Sequence, residues 1–130
     1  MVSIAVIFLR LPDGRFIFQR RGKTAPTSPG LLGLFGGHIE EMESADEAVR
    51  RELSEETSLQ ADKISIQKLA DKLIQYDDGQ ERHFFYYLAD IENPGFKVYE
   101  GEGKEVYSLK AALKRSDLTI STRSGLRDCR

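Results

Sequence analysis

GGHIEEMESADEAVRRELSEETSL, residues 36–59, decides how the chain is read. Ser44 is placed to N-cap a helix, and Glu47 three positions later completes a capping box. Ala45, Ala48, Val49 and Leu53 follow at offsets of three, four and eight, an apolar stripe meant for a core. At about 100° per residue, Glu52 and Glu56 project into the angular range of that stripe. Glu55 lies at its edge, while Glu47, Arg50 and Ser54 point the other way. The carboxylates therefore continue the inward face, and the helix should end near Thr57 or Ser58.

That arrangement is costly by itself. Glu52 and Glu56 stand four residues apart, where like charges repel by a few tenths of a kcal/mol. All three carboxylates sit near the helix C-terminus, where the macrodipole disfavours anions by roughly 0.3–1 kcal/mol each. A hard divalent cation resolves the conflict, because Mg²⁺ or Mn²⁺ takes oxygen ligands from a few carboxylates and substrate phosphates. The competing reading is a charged surface helix held by i, i+4 pairs such as Glu47–Arg51.

The pattern G-x5-E-x7-R-E-U-x-E-E-x-G-U, with U aliphatic, is matched in register at Gly37, Glu43, Arg51, Glu52, Leu53, Glu55, Glu56 and Leu59. In this the chain resembles the Nudix family of diphosphate hydrolases. One position departs: the family's glycine after the helix is Ser58. A glycine there suits a left-handed helix C-cap, which serine adopts at a cost of roughly 1–2 kcal/mol. The resemblance implies an α/β/α sandwich around a mixed sheet, and it extends from the N-terminal strand pair to the segment YEGEGKEVYSL.

Length and composition agree with a soluble α/β protein. At 130 residues one domain over 1–130 is expected. A net charge of −2 gives no sign of a surface built for wholesale nucleic-acid binding. The single cysteine, Cys129, cannot close an internal disulfide, which suits a reducing, cytoplasmic setting. No apolar run approaches the roughly 18–20 residues of a membrane span, and MVSIAVIFLR reads as a strand, not a signal peptide.

Along the chain, Ser3–Leu9 is apolar on both alternating faces, as in a strand covered on both sides. Leu11-Pro12-Asp13-Gly14 turns it into a second strand, Arg15–Arg20. Residues 21–30 form a loop, Leu31–Phe35 leads to a sharp turn at Gly36-Gly37, and Ile39–Met42 runs to the helix. Ile64–Gln75 makes one or two strands, Asp77-Asp78-Gly79 a turn, and HFFYYLA (83–89) a strand with Phe84 and Tyr86 on one face. Asn93-Pro94-Gly95 turns the chain, Gly101 and Gly103 mark a loop, and Glu105–Ser108 is a short strand. Ser108–Lys114 is a short amphipathic helix, and the polar tail has no determined structure. Many strands with a central and a later helix suggest a mixed sheet between helices.

For the site, the resemblance implies Mg²⁺ (or Mn²⁺) held by Glu52, Glu55, Glu56 and the carbonyl of Gly36. Glu100, with Glu102 behind it, is the expected further ligand or base from the later loop, and Glu52 is also a candidate base. Glu43 and Arg51 are assigned to the scaffold that orients these carboxylates. Arg20, Arg21 and Lys23 precede the glycines and are candidates for substrate phosphates, as is His38. The expected substrate is a nucleoside triphosphate or modified nucleotide. Nucleotide sugars, ADP-ribose and dinucleoside polyphosphates stay open, as does a nucleotide sensor that binds without turnover. The expected partners are a small nucleotide and, at most, a second copy of the chain, with no stable nucleic-acid complex and no membrane.

Overall fold

The computed structural model describes residues 1–76 and 78–129. Seven strands, β1 (Val2–Arg10), β2 (Phe16–Arg20), β3 (Leu32–Gly33), β4 (Phe35–His38), β5 (Ile66–Gln75), β6 (Glu81–Asp90) and β7 (Lys104–Tyr107), form one mixed sheet. Three α-helices, α1 (Ala45–Glu56), α2 (Leu109–Leu113) and α3 (Ile120–Leu126), pack on it, with short 3₁₀ turns at Ala61–Lys63 and Arg127–Cys129. The main strand order is β3-β2-β1-β6-β5. β1 runs parallel to β6, with Val2 opposite Arg82 and Val6 opposite Tyr86. Its other edge is shared: β4 pairs with Ile4–Ile7, and β2 with Leu9 and Arg10. β7 lies along β2, from Phe16 opposite Tyr107 to Gln19 opposite Lys104.

Alternation along β1 separates two cores. Ala5, Ile7 and Leu9 face α1 with Tyr87, Ala89, Ala48, Val49 and Leu53. Val6 and Phe8 face the other way, with Phe18, Phe84, Tyr86, Ala112 and Leu126 beneath α2 and α3. Helices thus cover both faces of the sheet, the α/β/α sandwich implied by the box.

Several expectations change in detail. Gly36-Gly37 is not a turn: both residues belong to β4, paired with Val6 and Ala5. The stretch 64–75 contributes one strand, Ile66–Gln75, irregular between Lys68 and Ala70. Asp77 lies outside the described residues, while Gly79 N–H closes the bend onto the Tyr76 carbonyl at 2.9 Å. The polar tail is ordered into α3, capped by Thr119, whose Oγ1 accepts from Thr122 N–H at 3.1 Å. Gly125 permits this packing: a Cβ there would stand 2.3 Å from a Tyr86 ring carbon.

Candidate active site

The helix begins as its sequence dictates. Ser44 Oγ accepts from Glu47 N–H at 3.1 Å, and Glu47 Oε1 accepts from Ser44 N–H at 2.9 Å. Glu47 is spent on this cap and does not pair with Arg51. Ala48, Val49, Leu53 and Glu56 form the buried face of α1, so the apolar stripe does end on a carboxylate. Glu56 is 4% exposed, and its Oε1 accepts from Gly36 N–H at 2.9 Å. Glu52 stands beside it, half an ion pair with Arg51 Nη1 at 3.0 Å. Gly37 makes room there, because a Cβ would meet the Glu52 carboxylate at 2.6 Å.

Arg51 gathers the acids. Its Nε and Nη2 hold both oxygens of Glu43 at 2.7 and 3.0 Å, and its Nη1 reaches Glu52 and Glu55, each at 3.0 Å. Nη2 also donates to the His38 carbonyl at 3.0 Å, tying α1 to the end of β4. The guanidinium holds the Glu43 carboxyl well below the usual range, mainly through this fork. Glu55 is turned toward Arg51 at the rim of the site, its side chain 55% exposed.

The later loop is fastened to the end of the helix. Tyr99 N–H donates to the Glu56 carbonyl at 2.7 Å, and Gln19 Nε2 donates to the Glu100 carbonyl at 3.3 Å. Gly101, with φ +68°, lies so close to β2 that a Cβ would stand 2.4 Å from the Arg20 carbonyl. These contacts bring Glu100 close enough to Glu56 for their charges to act on each other. Ser58 belongs to the same joint. It exchanges hydrogen bonds with Lys97, through N–H to the carbonyl at 2.9 Å and Oγ from N–H at 2.8 Å. Among the described residues only Ser28 and Met42 combine a side chain with positive φ, so Ser58 is not a left-handed cap. The extended Thr57 ends the helix instead, its Oγ1 donating to the Leu53 carbonyl at 2.7 Å. Restoring glycine should therefore weaken the fold: Ser58→Gly is expected to lose about 0.5–1.5 kcal/mol in urea unfolding.

Burial raises the Glu56 carboxyl to about 9, and the neighbouring Glu52 and Glu100 push the same way against the Gly36 N–H. Among the described residues no three acidic, cysteine or histidine side chains are already drawn tightly enough to cage a cation. The donor chemistry nevertheless suits a hard one: Glu52 and Glu56 set carboxylate oxygens side by side, and buried Glu56 takes its hydrogen bond from Gly36 N–H and from no cation among the described residues. The consequence for stability has a definite sign. A carboxyl raised in the folded state favours folding fully below about 4.5, and the benefit is lost as pH rises through about 9. Without divalent metal the melting temperature should fall across that window. Added Mg²⁺ should raise it more at about pH 8.5 than at about 6.5, because binding must expel the proton. Equal shifts at both pH values would remove Glu56 from the cation site.

Two clefts open on this cluster. One, of about 270 Å³, runs from Gly36, Glu56 and Glu100 over Val6, Phe84 and Tyr76 to the hydroxyls of Thr119 and Ser121. The other, of about 400 Å³, lies between Gln19, Glu100 and the loop 22–26. Arg21 lines both, with Nε donating to the Thr27 carbonyl at 2.9 Å, and His38 borders the first. Arg20 is placed elsewhere. Its fork is closed on Glu105 at 2.6 and 2.8 Å and its Nη1 on Asp117 at 2.9 Å, so it braces β2 against β7 and the approach to α3 and lines neither cleft. Gln19, Tyr76, Thr119 and Ser121 had no motif to announce them. Gln19, Thr119 and Ser121 are polar side chains buried in the structure, at 5%, 5% and 8% exposure.

The sandwich thus carries the acidic end of α1 beside two clefts. A family model, the NUDIX domain, matches residues 1–129, so the chain belongs to the NUDIX family, which are pyrophosphohydrolases of phosphorus-containing anhydrides. No curated protein matches it in sequence. Among solved structures, a MutT protein from Methanosarcina mazei Go1 superposes with TM-score 0.85 and 21% identity, covering 98% of this chain and 91% of that one. A MutT NUDIX hydrolase from Burkholderia pseudomallei gives 0.76 and 26%, covering 98% and 96%. The NUDIX domain of Shewanella oneidensis NrtR, complexed with ADP ribose, gives 0.79 and 19%, covering 100% and 86%. No helix among the described residues is long and apolar enough to cross a membrane.

Proposed function

We propose that the chain, as one domain, hydrolyses a diphosphate linkage in a nucleoside diphosphate derivative, with a nucleoside triphosphate or a modified nucleotide as the first substrate class. The observation that supports this reading is a cleft that runs from Glu56 and Glu100 over Phe84 and Tyr76, with Glu52 close enough to act on Glu56. Phosphates at the acidic end and a base over the aromatic floor account for both halves of that cleft.

Mg²⁺, or Mn²⁺ in its place, would be held by Glu52, Glu55, Glu56 and the Gly36 carbonyl. Such a cation neutralises phosphate oxygens and lowers the pKa of water. The chain's own groups do the rest. Glu100, or Glu52, accepts the proton of the attacking water, and Arg21 and His38 contact phosphate oxygens at the rim. Arg51 keeps Glu52 and Glu55 oriented through the fork it shares with Glu43.

The test is incubation with a nucleotide panel plus Mg²⁺ or Mn²⁺, following release of phosphate or pyrophosphate. Turnover ranks nucleoside triphosphates against nucleotide sugars, ADP-ribose and dinucleoside polyphosphates. Tight binding with no product from any member would overturn hydrolysis in favour of a nucleotide sensor. Ser58, the one departure from the box, has a local structural role in the joint with Lys97.

A further inference from the structure

The nucleotide cleft does not end at Tyr76. A second hollow of about 400 Å³ adjoins it through Thr27, Ser28 and Tyr76, and Arg82 and Asp78 line its far side. Arg82, the second residue of β6, lies opposite Val2 and two positions before Phe84, so both side chains leave the same face of the sheet. Its guanidinium carbon stands 4.0 Å from the centre of the Tyr76 ring. Tyr76 is stacked on Phe84 in turn, with centroids 6.3 Å apart and planes 9° from parallel. The cation thus sits over the end of an aromatic pair, with its side chain only 15% exposed.

Its hydrogen bonding is unfinished. The nearest described carboxylate, Asp78, lies 3.7 Å from Nη2, beyond hydrogen-bond distance. Nη1 is buried with no partner, the one side-chain nitrogen or oxygen in that state among the described residues. Arg20 and Arg51, by contrast, hold carboxylates on both edges of their forks. A buried charged donor without an acceptor is costly, and such exceptions are rare in folded proteins. Arg82 lines the hollow with a fork whose donors are not filled by the described residues.

We infer that Arg82 is a specificity-determining residue, donating to an oxygen on the part of the substrate remote from the catalytic carboxylates. This rests on the reading of the cleft as a nucleotide site. Guanidinium has donors only, so it accepts a carbonyl or phosphoryl oxygen and disfavours an amino group at that position. Two substrate features meet this requirement: a purine carrying a ring carbonyl, or a second phosphorylated end as in a dinucleoside polyphosphate.

Arg82→Met separates these from a merely structural strut. We compare kcat/KM for GTP, ATP and a diadenosine tetraphosphate with Mg²⁺, together with melting temperature. We also measure GMP, AMP and inorganic phosphate binding to the Glu56→Gln protein with and without the Arg82 change. A fall of about 10-fold in the GTP:ATP ratio, or in the GMP:AMP affinity ratio, supports the ring carbonyl. A similar fall in the diadenosine:ATP ratio, or in phosphate affinity, supports the second phosphate. Either result should come with an unchanged or higher melting temperature, since an orphaned donor has been removed. All ratios and phosphate affinity within 2-fold of the parent, or an equal loss on every nucleotide with a lower melting temperature, would overturn the inference. Arg82→Lys, which keeps the charge without the planar fork, is expected to lose the same discrimination and serves if the Met variant does not fold. Absence of turnover in the unmodified protein would instead sink the hydrolase reading, while the binding ratios still decide Arg82.

Discussion

Glu56→Gln is expected to lower Mg²⁺-dependent release of phosphate or pyrophosphate by about 10³-fold while leaving the metal-free protein folded. The size follows from removing a charged oxygen from a site where a cation contributes several kcal/mol, each 1.36 kcal/mol being a factor of ten. Survival of the fold follows from the state of Glu56 itself. With its carboxyl raised to about 9, it is neutral and protonated at physiological pH in the metal-free protein, and glutamine has nearly that shape. The amide oxygen still accepts from Gly36 N–H, the contact now made at 2.9 Å. The variant should also lose the alkaline decline in melting temperature and its pH-dependent response to Mg²⁺. Steady-state kinetics and thermal scans check all three, and unchanged turnover would end the assignment of Glu56 to the cation.

Gly36→Ala should be worse for the molecule as a whole. Gly36 has φ +140°, where side chains are rarely tolerated, and sits in β4 opposite Val6. A methyl group there would stand 2.1 Å from the Ala5 carbonyl and 2.7 Å from the Val6 Cα, both backbone atoms of the central strand. Nothing at the end of a flexible chain can yield, so β4 must leave β1 and take the Glu56 hydrogen bond with it. A loss of more than about 3 kcal/mol is expected, seen as insoluble protein or a collapsed urea midpoint. A soluble variant of near-normal stability would show that β4 can shift along β1 without penalty.

How far this was readable beforehand depended on the range of the interactions involved. The capping box, the stripe through Leu53 and the inward turn of Glu56 are contained within one helix, and local spacing reports them. The two faces of HFFYYLA were legible for the same reason, with Phe84 and Tyr86 in one core and Tyr87 in the other. Gly36-Gly37 misleads because its conformation answers to β1, distant in sequence, and not to its neighbours. Arg20 reads as an available cation until Glu105 and Asp117, some 85 and 97 positions away, close on it. Ser58 looks like a defect in a motif until Lys97, 39 positions on, turns out to share it. The helix over 120–126 is too short to show a period, and it forms where Gly125 lets the chain lie against Tyr86.

The placing of β1 also bears on how a nascent chain acquires its shape. The first of the seven described strands occupies the middle of the sheet, and its parallel neighbour follows 80 positions later, as Arg10 and Asp90 show. During synthesis a ribbon greasy on both sides must wait for that neighbour, with α1 over one face and the short β2 and β4 along one edge. Loop closure over such a span is slow, so refolding belongs on the millisecond-to-second scale of non-local topologies, and chaperone demand should be greatest before residue 90 emerges.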